Sequence, residues 1–303
     1  MFLMCFSHAP VLFTALASLS LVKADRSSTL SATLPSEGHW GYKTVLVFGD
    51  SFGDTGPTYH VIQDAFDERG IPAVVKSTAV SGTSACSWAE KDFGFSLVKA
   101  AREEFPDRAQ GPDFVWYTLG ADDISGSSSL KTCFGEARSD SEAEQCVVTV
   151  NRQIVACSEL LLDNYFRTFP YSKVLLTGYD APCESDLCLL TLDRPFDGRY
   201  CGLNRTCSNS LAFFWEEIYI RALTSRYKEP SFTGVNLVGT SQVAAGVPGA
   251  RVGKPVLDQG SPCQWMTLCL HPSYGTPTGR AWGETMWNVF FSRHVEDRTE
   301  INV

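Results

Sequence analysis

The sequence predicts a single α/β domain in which a five-stranded parallel sheet lies between two layers of helices. Two observations predict this three-layer architecture. Short apolar runs alternate with longer amphipathic stretches from Lys43 onward, which is the pattern of β-α-β units. Of the 303 residues, 44% are hydrophobic and 19% are charged, enough for a large core and too apolar for a disordered chain.

Five short segments are predicted to be buried strands, because most of their residues are apolar or β-branched. The strands of a parallel sheet are covered on both faces and therefore read as continuous apolar runs. The predicted strands are Thr44–Phe48, Ala73–Ser77, Phe114–Thr118, Lys173–Thr177 and Gly234–Val238.

Between and after these strands, five amphipathic stretches are predicted to be helices. The longest has apolar residues three or four positions apart, such as Val147, Val150 and Ile154, which line one helix face. The predicted helices are Thr58–Arg69, Trp88–Phe105, Ser141–Phe169, Ser210–Tyr227 and Thr278–Ser292.

The first 24 residues are predicted to be a cleaved signal peptide. Their apolar run, Val11–Val22, is too short to span a bilayer comfortably, and Val22-Lys23-Ala24 provides small residues where a signal peptidase would cut; an uncleaved anchor is the alternative. We expect residues 25–40 to be a flexible leader, residues 41–296 the domain and residues 297–303 a tail. No later stretch is long and apolar enough to cross a membrane. The sequence thus predicts a secreted or secretory-pathway protein.

Cysteine content agrees with secretion. Ten cysteines follow the predicted signal peptide, and an even number in a secreted chain favours up to five disulfides. Three pairs are close enough in sequence for local loops: Cys183/Cys188, Cys201/Cys207 and Cys263/Cys269. The alternative, a zinc site, lacks any C-x-x-C spacing, so no metal is expected. Two irregular regions, Ser125–Asp140 and Asp180–Asn209, are predicted to be disulfide-stapled surface insertions.

Charge and glycosylation signals describe the expected surface. Lys and Arg total 25 against 34 Asp and Glu, a net charge of −9. An acidic chain without basic runs argues against a nucleic-acid or anionic-membrane partner. Asn204 begins the one N-x-[S/T] sequon and is predicted to carry a glycan.

Four short motifs lie at strand ends or before the last helix, where α/β sheets collect their ligands. Gly49-Asp50-Ser51 follows the first strand, and Gly82 lies in the loop after the second. Gly120-Ala121-Asp122-Asp123 follows the third strand. His271-Pro272 precedes the last helix.

Together these motifs resemble the four blocks of the SGNH, or GDSL, hydrolase family, in the same order and over most of the chain. The resemblance implies a flavodoxin-like sheet order and hydrolysis of carboxylic esters without metal or organic cofactor. It implies that Ser51 is the nucleophile and His271 the general base. The N–H groups of Ser51 and Gly82, with position 122, would form the oxyanion hole.

Two positions depart from the family pattern. Asp122 stands where the family has an asparagine that donates to the oxyanion, and an ionised carboxylate can only accept. Leu268 stands where the family has the aspartate that orients the histidine. Asp258 is a possible orienting carboxylate; otherwise a backbone carbonyl could hold His271, which would leave a Ser–His dyad.

Other interpretations stay open from sequence alone. Gly49-x-Ser51-x-Gly53 also fits the nucleophile elbow of α/β-hydrolases, although that elbow normally follows several strands. The two departures favour, as an alternative, a catalytically impaired relative that binds lipid or glycan. Acyl transfer to an acceptor other than water would use the same residues. The expected partner is a small-molecule, lipid or acylated-glycan ester, and the expected state is a monomer.

Overall fold

The computed structural model describes residues 41–54, 59–120, 122–123, 137–181, 183, 205–267 and 271–295. The predicted signal peptide, leader and C-terminal tail lie outside the described residues. Asn204 and Leu268 lie outside them too, as do most of the two predicted insertions.

Five parallel strands form the central sheet, in the order β2-β1-β3-β4-β5. This flavodoxin-like order confirms the predicted fold class. The strands are β1 (Lys43–Gly49), β2 (Ala73–Ser77), β3 (Phe114–Thr118), β4 (Lys173–Thr177) and β5 (Phe232–Val235). A separate antiparallel hairpin, which pairs β6 (Met266–Thr267) with β7 (His271–Pro272), follows later in the chain.

Helices connect the strands and follow the hairpin. They are α1 (Ser51–Asp54), α2 (His60–Asp67), α3 (Ala85–Glu90), α4 (Ser96–Glu104), α5 (Asp140–Thr168), α6 (Arg205–Arg226), α7 (Thr240–Ala244), α8 (Pro277–Met286) and α9 (Ser292–Val295). A π-helical turn, Trp287–Phe291, continues α8 into α9. Four of the five predicted helices thus exist as continuous helical segments, with boundaries that differ by one to five residues at most ends.

The edge where the strands end positions the first motif. Gly49 of β1 pairs with Thr118 of β3, and the next residue, Asp50, donates its N–H to the Thr118 carbonyl at 3.0 Å. A Cβ on Gly49 would lie 2.3 Å from that same carbonyl oxygen, so only glycine allows the two strand ends to approach this closely.

The predicted helix Trp88–Phe105 is wrong as a single element. The chain forms α3, a 3₁₀ turn at Lys91–Gly94 and then α4. Asp92 and Phe93 have φ values of 56° and 52° inside this turn, a left-handed conformation that interrupts the α-helix. The first helix also begins earlier than predicted, because Ser84 and Ser87 form a reciprocal capping box before Ala85.

The predicted fifth strand, Gly234–Val238, is displaced by two to three residues. The observed β5 begins at Phe232, which is buried, and ends at Val235. Immediately after it, the Asn236 side chain accepts from the N–H of Val238 at 2.9 Å, a local turn that ends the extended backbone. Gly234 lies in mid-strand, where a Cβ would meet Ile220 and Thr224 of α6.

All six cysteines among the described residues are disulfide-bonded. Cys86 pairs with Cys157 across 71 residues, and Cys183 pairs with Cys263 across 80 residues. The local pairings Cys183/Cys188 and Cys263/Cys269 are therefore wrong: the fold brings distant segments together, which sequence proximity does not show. Cys201/Cys207 rests on a residue outside the described part.

The disulfides are compatible with an oxidising compartment, where such bonds form and persist. Across the part of the chain that the structure describes, none of the helices has the length and apolar character needed to cross a membrane.

Candidate active site

Ser51 begins α1 directly after β1 and is partly exposed. The turn that presents it is organised by Asp50. The carbonyl of Asp50 accepts from the N–H groups of Gly53 and Asp54 at 3.1 and 3.2 Å, and its carboxylate accepts from the N–H of Phe52 at 3.1 Å. Asp50 itself is fully buried. The serine hydroxyl therefore projects from a tightly hydrogen-bonded turn.

His271 lies in β7 of the short hairpin, 220 residues after Ser51, and is almost fully buried. Its Nε2 is 2.8 Å from Ser51 Oγ, and its Nδ1 is 3.2 Å from the carbonyl oxygen of Thr267. Thr267 is the residue opposite His271 in the hairpin. The fold thus brings together the two residues for which the sequence predicts a catalytic role.

The contacts of the imidazole determine which nitrogen carries the proton. The carbonyl of Thr267 can only accept, so Nδ1 of His271 is the donor and Nε2 has the free lone pair. Burial lowers the pKa of His271, although the contact with Thr267 opposes this in part. The imidazole is therefore neutral near pH 7 and is arranged to accept the proton of Ser51.

Two aromatic residues support the imidazole from the protein side. The ring of Phe52 lies 4.6 Å from that of His271, and Trp282 of α8 stacks on Phe52 at 5.7 Å. The indole N–H of Trp282 donates to the buried carboxylate of Asp180 at 3.0 Å. The histidine is thus held by packing as well as by its two hydrogen bonds.

Asp258 does not take the place of the missing triad aspartate in this structure. Its side chain is exposed, and among the described residues no hydrogen bond joins it to His271. The Thr267 carbonyl occupies the position at Nδ1 where a carboxylate would act. The geometry therefore corresponds to the alternative of a backbone-oriented dyad.

Gly82 lies in the exposed loop after β2 with a φ of +79°. A Cβ at this position would meet nothing within 4 Å, so there is room for a side chain. Glycine is favoured here because of the positive φ of the backbone. Two hydrogen bonds tie this loop to the serine turn: Val80 N–H to the Gly49 carbonyl at 3.1 Å, and Ser81 N–H to Asp54 at 2.8 Å. The loop of Gly82 is therefore anchored to the turn that presents Ser51.

The two aspartates after β3 have different surroundings. Asp123 is buried and accepts from the N–H groups of Ala85 and Cys86 at 2.6 and 3.0 Å, so it caps α3. Asp122 is partly exposed. Its charge adds to the rise in pKa that burial causes in Asp50 and Asp123, which indicates that three carboxyl groups share this edge of the sheet.

Sequence reasoning missed Tyr179 and Asp180, which follow β4. Tyr179 donates its hydroxyl to Asp50, and Asp180 accepts from Trp282. Ligands collect at strand ends in such sheets, and this rule applies to the fourth strand as well. The sequence therefore did contain a signal for Tyr179 and Asp180. Among the described residues, no three His, Cys, Asp or Glu side chains are placed to hold a metal ion.

No protein-family model matches the chain, and no curated protein matches it. Solved structures do. A candidate platelet activating factor from Streptococcus pneumonia is 14% identical, with 82% of this chain and 84% of that chain covered and a TM-score of 0.50.

Two further structures show the same type of likeness. An extracellular lipase from Streptomyces rimosus is 15% identical over 82% of this chain and 99% of that chain, with a TM-score of 0.48. A candidate GDSL-like lipase from Parabacteroides merdae is 13% identical over 84% of this chain and 98% of that chain, with a TM-score of 0.44. At these identities the likeness concerns the fold alone: this chain shares an α/β fold with the candidate platelet activating factor, in agreement with its own five-stranded parallel sheet.

Proposed function

We propose that this protein is a serine hydrolase of carboxylic esters that works with a Ser51–His271 dyad. One observation carries the proposal: Ser51 Oγ lies 2.8 Å from the Nε2 of a buried imidazole whose Nδ1 faces a carbonyl. A nucleophile and a base within hydrogen-bond reach, with the base oriented by a third group, define this type of site.

The proposed reaction has two stages. Nε2 of His271 accepts the hydroxyl proton while Ser51 Oγ bonds to the ester carbonyl carbon, and the imidazolium then protonates the leaving alcohol. Water, deprotonated by the same nitrogen, attacks the acyl-serine; the imidazolium then returns the proton to Ser51 Oγ as the bond to the acyl group breaks and the acid is released. The N–H groups of Ser51 and Gly82 are the proposed donors to the oxyanion, with position 122 as a third contact.

The Thr267 carbonyl replaces the triad carboxylate in this proposal. It keeps His271 in the productive tautomer, and its partial negative charge stabilises the imidazolium less than a full charge would. We therefore propose an enzyme that depends strongly on the packing of His271 against Phe52 for the orientation of its base.

A binding protein in which hydrolysis is impaired is the second candidate. Asp122 favours it, because the family resemblance places this carboxylate at the oxyanion hole and its charge is close enough to raise the pKa of both Asp50 and Asp123. Secretion and a glycan on Asn204 are compatible with either candidate function, and both stay predictions.

A fluorophosphonate probe distinguishes the two candidates. We expect the purified protein to be labelled stoichiometrically and Ser51→Ala to lose the label, because the probe reacts with serines that a base activates. Ser225→Ala, which removes an exposed hydroxyl on α6, is the matched control and should label like the wild type. A protein that stays unlabelled under conditions where a known serine hydrolase reacts would favour the binding protein.

Removing the Cys183–Cys263 disulfide should reduce activity more than removing Cys86–Cys157. The two bonds close loops of similar length, 80 and 71 residues. Each should therefore stabilise the folded protein by about 4 kcal/mol, because it restricts the unfolded chain. Cys263, however, begins the segment that leads into the histidine hairpin. We expect at least ~10-fold lower turnover only in Cys183→Ala/Cys263→Ala, measured well below both melting temperatures. Equal turnover in the two double variants would contradict this role of the disulfide.

A further inference from the structure

Tyr179 lies two residues beyond the end of β4, at the same edge of the sheet as Ser51, and is almost fully buried. Its N–H donates to Glu216 of α6 at 3.1 Å. Burial raises the pKa of Glu216 well above its ordinary range. Tyr179 is therefore fixed in place by a helix that takes no part in the proposed chemistry.

The hydroxyl of Tyr179 reaches the turn that presents the serine. It donates to one carboxylate oxygen of Asp50, while the other oxygen accepts from the N–H of Phe52. Asp50 directly precedes Ser51, and its other polar groups contribute to the turn or to the contact with β3. The orientation of the Asp50 carboxylate, and with it the geometry of the turn, depends on the donor that Tyr179 provides.

The ring of Tyr179 contacts Phe52, the aromatic residue that packs against the proposed base. It packs edge-on against Phe52 with ring centroids 4.4 Å apart, and Phe52 in turn contacts the imidazole of His271. One side chain thus touches both the residue before the nucleophile and the aromatic residue behind the histidine. No other described side chain hydrogen-bonds Asp50 and also packs on Phe52.

We infer that Tyr179 is a positioning residue for the Ser51–His271 pair, acting through Asp50 on the serine turn and through Phe52 on the imidazole. The inference rests on the proposed function, since it concerns the reactivity of Ser51. Tyr179 does not touch the reacting atoms in this scheme. Its hydroxyl keeps Ser51 Oγ at hydrogen-bond distance from Nε2, and its ring limits the movement of the base.

The test compares Tyr179→Phe with Tyr165→Phe. Both variants lose one buried, hydrogen-bonded hydroxyl, but Tyr165 bonds to Ser172 near the opposite edge of the sheet. We expect the second-order rate of fluorophosphonate labelling to fall about 10-fold or more in Tyr179→Phe, because small misplacements of reacting groups are costly. Tyr165→Phe should stay within about 2-fold of the wild type while losing similar stability.

A double-mutant cycle and a pH profile add readouts that a purely structural role would not change. Asp50→Asn combined with Tyr179→Phe should label about as slowly as Asp50→Asn alone, because the two residues act through one hydrogen bond. Asp50 faces the carboxyl groups of Asp122 and Asp123 and the hydroxyls of Tyr179 and Tyr219. Removing the Tyr179 donor removes a contact that lowers the pKa of Asp50, so Tyr179→Phe, and not Tyr165→Phe, should show a further loss of labelling at low pH beyond the acid limb that His271 sets.

Each outcome has a distinct meaning. Normal labelling of Tyr179→Phe, or equal losses in Tyr179→Phe and Tyr165→Phe with additive effects in the cycle, would overturn the positioning role and leave the proposed function intact. Wild-type protein without any Ser51 labelling would overturn the proposed function and this inference with it.

Discussion

Alanine at either Ser51 or His271 is expected to abolish most hydrolysis of a small aryl ester, by roughly 10⁴–10⁶-fold in kcat. The double variant should lose little more than either single variant, because groups that act as one unit are not additive. The physical reason is the 2.8 Å contact between Oγ and Nε2, through which neither residue is effective without the other. Turnover measured for the three variants and the wild type tests this.

His294→Ala is the control for the histidine variant, because it also removes a buried imidazole, in this case on α9. It should destabilise the protein without an effect of comparable size on kcat. Near-native turnover of His271→Ala would show that another group deprotonates Ser51, and the dyad would have to be abandoned.

Asp122→Asn is expected to raise turnover at pH 8. Wild-type activity needs a neutral His271, whose burial-lowered pKa places the acid limb below the ordinary value of about 6.5. An ionised Asp122 at the oxyanion position would repel the negative charge that develops there. Asparagine donates at every pH. Because one oxyanion donor is typically worth about 10²–10³ in rate, a sizeable part of that factor should be regained.

Turnover measured against pH for both proteins tests this expectation, with Asp107→Asn, an exposed carboxylate beyond α4, as the charge-matched control. The control should reproduce the wild-type profile. An Asp122→Asn protein that is slower at every pH would show that the carboxylate has a productive task.

Local sequence signals were sufficient to predict most of the strands of the sheet. β2, β3 and β4 have the predicted boundaries because each is a short apolar run between turn residues. β5 was misplaced because Gly234 reads as a boundary, whereas it is a mid-strand position packed closely on α6. Gly94, with a φ of 80°, directly follows Asp92 and Phe93 in this break and was a local signal for it, but the helical periodicity on both sides led to the prediction of one continuous helix.

The candidate site was predictable only in part, for a similar reason. Ser51, Gly82 and His271 belong to short motifs whose order along the chain is visible. The position of the Thr267 carbonyl opposite His271 depends on the register of the short β6–β7 hairpin, which no sequence motif specifies. The contact between Tyr179 and Asp50 joins residues 129 positions apart, which follow two strands that β3 separates in the sheet, so neither a motif nor the strand order predicts it.

The separation of 220 residues between Ser51 and His271 has a consequence for biosynthesis. At about 5–20 residues per second, a ribosome would produce the histidine roughly 10–45 s after the serine. The serine turn could be shaped early, but its partner arrives only after all five strands of the sheet have been translated. A nascent chain would therefore carry an inert hydroxyl, and reaction with a fluorophosphonate would mark the moment at which the first and last parts of the domain have come together.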